Sequence, residues 1–148
     1  MDSSIVTTTT VRRAEVALAV LVLGSGVVIL ASGGAPSVLS RSETIRDALI
    51  WSLFFLVPLA LAGTTLLAVV ADTIGIGSVV AGAVAVITLG TVLLAVYTLL
   101  APSEGGVYFG HFFSYGAALA LSVVVLVRPI IDRLSAGVWL RPGLIDFS

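Results

Sequence analysis

The chain has no cysteine and no lysine, a single histidine, and only 10% charged residues. Without cysteine there can be no disulfide, thiolate metal site, iron–sulfur cluster or cysteine nucleophile, and nothing marks a redox compartment. Charged residues make up about a quarter of an ordinary soluble domain. A chain of 148 residues that is 59% hydrophobic is therefore expected in a bilayer. The net charge of −1 and the lack of any basic run offer no field for nucleic acid, which is excluded as a partner. Catalytic patterns are missing as well. No HExxH or P-loop occurs, and no serine has a histidine at a credible spacing. The middle of each apolar run also lacks Asp, Glu, Arg and His. A charge at mid-bilayer costs about 3 kcal/mol or more and is kept where it works, so its absence argues against proton-coupled transport and acid–base catalysis. The sequence predicts no enzymatic activity, no cofactor and no metal.

What is present is apolar and long. Runs at 14–31, 48–71, 79–101 and 112–131 each approach or exceed the ~20 residues that a helix needs to cross a hydrocarbon core of about 30 Å. Lipid offers no hydrogen-bond partner to the backbone, so each run should be helical. The fold class is all-α and integral to the membrane, a bundle of four transmembrane helices over 14–131. A disordered polar tail at 1–13 precedes it and an interfacial tail at 132–148 follows it. The lysine-free, Val/Ala/Gly-rich composition resembles that of archaeal proteins from GC-rich genomes. A rival reading takes the pair Arg12–Arg13 and the first run as a cleaved export signal; Glu15 and the length of the run argue against it. Arg12, Arg13, Arg128, Arg133 and Arg141 lie on the side of the termini, against Arg41 and Arg46 on the other. The positive-inside rule then makes both termini cytoplasmic, in the cell membrane.

Two segments echo each other. AVLVLGSGVVILASGGAPS (19–37) aligns without gaps to AVITLGTVLLAVYTLLAPS (85–103), as two duplicated helical hairpins would. The alternative is that Pro36 and Pro102 merely stop two helices. Pro58 should kink the second helix and leave a carbonyl without its usual partner.

The spans carry small and hydroxyl residues at helical spacing. These are Ala81, Ala85, Thr88, Ala95 and Thr98 on the third helix and Ser114, Ala118 and Ser122 on the fourth. Ala60, Thr64 and Ala68 form a matching row on the second. Such stripes let helix backbones approach closely. Tyr108, Tyr115, Trp139, Arg128 and Arg133 fall near span ends and are predicted interface anchors, with the Arg128 stem snorkelling its charge to the headgroups. His111, in VYFGHFFSYG, belongs to the same aromatic belt; it is also the one weak candidate for a haem ligand. The leading functional expectation is a non-enzymatic structural, accessory or assembly subunit, working in the lipid bilayer through helix contacts in a homo-oligomer or larger complex. The alternatives are a small oligomeric channel or transporter lined by Thr88, Thr91 and Thr98, and a haem or redox subunit using His111.

Overall fold

The computed structural model of the chain describes residues 3–31, 43–71, 75–101 and 110–139. Helix α1 (Ser3–Ala31) is followed by α2 (Glu43–Trp51), a π-helical turn (Ser52–Leu56) and α3 (Val57–Ala71), which run on as one rod. Helices α4 (Ile76–Leu100) and α5 (Gly110–Trp139) complete the bundle. The four rods are long and apolar enough to cross a membrane. Helices α1 and α4 occupy opposite corners, each in contact with α3 and α5, and the most extensive contact joins α4 to α5.

The apolar residues are distributed inside out. Ala19, Ala62, Ala85 and Ala118 are fully buried, whereas Leu30, Val70, Leu100 and Phe113 are each more than 70% exposed. In water this arrangement would leave a large apolar surface to solvent and small side chains in the core. Small interior residues instead bring helix backbones together, and bulky ones cover the outside.

The break in the second rod follows from Pro58. Proline has no N–H to return to the carbonyl one turn earlier, and a π-helical turn precedes it directly. That carbonyl, on Phe54, accepts a hydrogen bond from Ser114 Oγ of α5 at 2.9 Å. The carbonyl that proline leaves without its usual partner thus becomes a joint between two rods.

The four helical rods depart from the sequence reading mainly at their ends. The head expected as a disordered tail is helical from Ser3, continuous with the first span. Once a helix is nucleated, each added residue gains a hydrogen bond at small further cost, so a Thr-rich segment can prolong it. Helix α5 likewise runs to Trp139, through the first half of the segment read as an interfacial tail. The second and third rods begin at Glu43 and Ile76, a few residues before the expected 48 and 79. Pro36, Pro102, Tyr108 and Arg141, and the side chain of Trp139, lie outside the described residues.

Candidate functional site

Among the described residues, polar side chains gather at both ends of the bundle. At the end holding the termini, Arg128 of α5 is 2% exposed and turned into the bundle. Its Nη2 donates to Ser78 Oγ of α4 at 2.6 Å, and Nη1 lies 3.8 Å from Glu15 Oε1 of α1, also 2% exposed. Its Nε lies 4.0 Å from Asp132 Oδ2, one turn along α5. One guanidinium, with five donors in a fixed fork, thereby meets groups on three helices. The sequence reading sends Arg128 outward to the headgroups; in the structure it faces inward because it continues the buried stripe Ser114, Ala118, Leu121, Ser122, Val125. Glu15 continues the buried positions Ala19 and Val22 of α1 in the same way.

Asp132 has a second role. Helix α4 begins with Gly75, which provides no side-chain cap, and Asp132 Oδ1 accepts from the Gly77 N–H at 3.0 Å. A carboxylate from one helix thus caps the N-terminus of another, satisfying one open N–H and complementing the helix dipole. The approach is close. A Cβ on Gly77 would lie 2.7 Å from Asp132 Oδ1 and 3.1 Å from the Arg128 carbonyl oxygen.

A cleft of about 640 Å³ opens beside this cluster, between α1 and α3. Arg12 and Arg13 line it together with Arg128, and its apolar walls include Val16, Ala68 and Ala71.

The opposite end is joined by neutral groups. Tyr115 Oη lies 2.6 Å from Ser25 Oγ, and the two hydroxyls lie 3.0 and 2.9 Å from the Val22 carbonyl oxygen, fastening α5 to α1. Tyr115 is therefore buried where the sequence reading placed it in an interfacial belt. Its ring, together with those of His111 and Phe112, surrounds Phe54, and the His111 ring meets Phe54 edge-on at 5.4 Å. His111 is half-buried against these rings.

Between the ends, Ala81, Ala85, Thr88 and Ala95 of α4 and Ser114, Ala118 and Ser122 of α5 are all buried. Thr88 Oγ1 donates to Val84 O at 2.8 Å within its own helix and contacts Ala117 O of α5 at 3.3 Å. Thr98 departs from this stripe: it is exposed, with its hydroxyl bonded back to Leu94 and Ala95 carbonyls. Thr91 likewise bonds back to Thr88 O. The row proposed for channel lining thus divides between the interior and the outer surface. On α3 the buried positions are Pro58, Leu61, Ala62, Thr65 and Ala68, while Ala60 is exposed and Thr64 half-buried. Thr65 Oγ1 is buried with no hydrogen-bond partner among the described residues. Arg133 is exposed on α5.

No protein family, curated protein or solved structure matches the chain.

Proposed function

We propose that the chain is a multi-pass protein of the cell membrane, with both termini cytoplasmic, that acts without catalysis as a structural or assembly subunit through helix–helix contacts. The observation that carries this reading is how the polar side chains of the interior are used. Arg128 joins α5 to α4 and α1, Ser114 joins α5 to the second rod, and Tyr115 joins α5 to α1. Each of these contacts ties one helix to another. The inside-out apolar distribution supports insertion, and the five-to-two split of arginines supports the orientation.

Two measurements test this. The chain should resist alkaline carbonate extraction from membranes, and reporters fused after Ser148 and after Thr10 should both read as cytoplasmic. An external C-terminus would overturn the topology. For the assembly role, cross-linking in native membranes should trap the chain in a complex larger than a monomer; a monomer throughout would overturn it.

The bundle further reads as two related hairpins. Over 19–28 and 85–94 the pattern of buried, half-buried and exposed positions is identical. The second rod and α5 correspond at a spacing different from that of α1 and α4: Phe55, Pro58, Leu61, Ala62, Thr65 and Ala68 are buried like the residues sixty positions later. A shorter connection in the second hairpin accounts for the two spacings. Halves 1–74 and 75–148, expressed as separate chains, should reassemble; failure of both to insert would count against independent hairpin units.

A further inference from the structure

We propose that the cleft between α1 and α3 binds the phosphodiester headgroup of an anionic phospholipid from the leaflet on the side of the termini. The inference rests on the membrane reading above and adds a ligand site to it. The cleft is graded along its length. Thr8, Thr9, Arg12 and Arg13 contribute hydroxyls and guanidinium groups at its outer part, and one turn further in the same stripe of α1 turns to Val16 and Ala17, opposite Ala68 of α3. The polar stretch from Thr8 to Arg13 covers about 7 Å of helix axis, close to the thickness of one headgroup layer, roughly 5–7 Å. A phosphate at the two arginines would therefore leave an acyl chain beside the apolar wall.

The charge pattern gives the sign of the ligand. Three guanidinium groups line the cleft. The charge on Arg128 is met by Glu15 and Asp132, both of which contact it. Arg12 and Arg13 lie on the exposed side of α1, and no carboxylate is among the described residues that line the cleft. Arginine matches the paired oxygens of a phosphate with parallel N–H donors, and basic pockets between helices on the cytoplasmic side are suited to lipid phosphate groups. With small Ala17, Ala68 and Ala71 on its walls, the space of about 640 Å³ is open to a chain as well as a headgroup.

The test uses the full chain, purified in detergent, with native mass spectrometry to count bound lipid and thermal unfolding to read its effect. Added phosphatidylglycerol should remain bound and raise the midpoint, while phosphatidylcholine should do neither. Arg12→Gln with Arg13→Gln should weaken phosphatidylglycerol binding on the order of tenfold to thirtyfold, and Arg46→Gln, on α2 at the opposite end of the bundle, should leave it unchanged. Equal retention by the double variant and the parent would overturn the site. An equal midpoint shift from inorganic phosphate would overturn the lipid assignment in favour of a free anion. Carbonate extraction separates the two readings: a chain washed from the membrane defeats the membrane reading, whereas a chain that stays but binds no phosphatidylglycerol defeats only the lipid site.

Discussion

At the loop end of the bundle, α5 is held by Tyr115 hydroxyl contacts, a serine bonded to the Phe54 carbonyl and a group of aromatic rings. At the terminus end the same helix is held by Arg128, with Glu15, Ser78 and Asp132 around it. Both regions join three rods, but by different physics. Neutral interhelical hydrogen bonds in a membrane contribute on average about 0.6 kcal/mol, because the separated helices find other partners. A buried ion pair gains little net energy over an apolar replacement, yet losing one partner strands a charge and costs about 3–5 kcal/mol. The terminus end is therefore intolerant of single changes, and the loop end is forgiving.

The largest expected effect follows directly. Arg128→Met removes the cation and leaves Glu15 buried, so unfolding in detergent should show a loss of about 3–5 kcal/mol. Glu15→Leu combined with Arg128→Met removes both charges and should restore most of that loss. A single variant costing less than about 1 kcal/mol would erase the distinction between the two ends. A double variant that is stable but inactive in cells would shift the cluster from a structural role to a transport one.

Gly77→Ala comes next. Its new methyl would press on Asp132 and on the Arg128 backbone, and backbone cannot yield as a side-chain tip can. The expected cost is about 1–3 kcal/mol, with α4 losing its carboxylate cap. Gly90→Ala is the control: a Cβ there meets nothing within 4 Å, so helix propensity should make it neutral or stabilising by up to about 1 kcal/mol. Similar losses at both glycines would show that α4 is not held closely at its start.

At the loop end, Tyr115→Phe keeps the ring and deletes the hydroxyl that reaches Val22 and Ser25. The loss should be about 0.6–1.7 kcal/mol, and it should add to that of Arg128→Met, because the two sites share no partner. Strong non-additivity would mean that the ends are coupled through α5.

The four apolar helices and most of the α4 and α5 packing faces are visible in the sequence because length, apolarity and small-residue spacing are local properties. The ionic cluster is not, for a specific reason. Arg128 and Glu15 each sit near a span end, where a long side chain could as readily reach the headgroups. A sequence signal does exist, since both continue a buried stripe: Ser114, Ala118, Ser122, Val125 leads to Arg128, and Val22, Ala19 leads back to Glu15. Following the stripe to its end, and not the distance to the span boundary, gives the inward direction. On α3 no such guide was available. In PLALAGTTLLA small residues occur at nearly every helical phase, so Ala60 and Thr64 looked as suitable as Ala62 and Thr65, and the packing of Pro58 and Phe55 decided the face.

The smallest effect is expected where the sequence looks most like a site. His111 is the only histidine and stands among aromatic rings, but it lies half-buried at the edge of the bundle, in edge-on contact with Phe54 and ring contact with Phe112 at 4.1 Å. The Phe54 and Tyr115 rings still pack together without it, at 5.0 Å. His111→Gln should then change stability by no more than about 0.5 kcal/mol, the usual range for a replacement away from a buried network. Purified parent and variant should have the same visible spectrum. A chromophore present in the parent and lost in the variant would place chemistry at the loop end. A loss of 2 kcal/mol or more, well beyond what one ring contact of about 0.5–1.5 kcal/mol supplies, would make that end as intolerant as the ionic one.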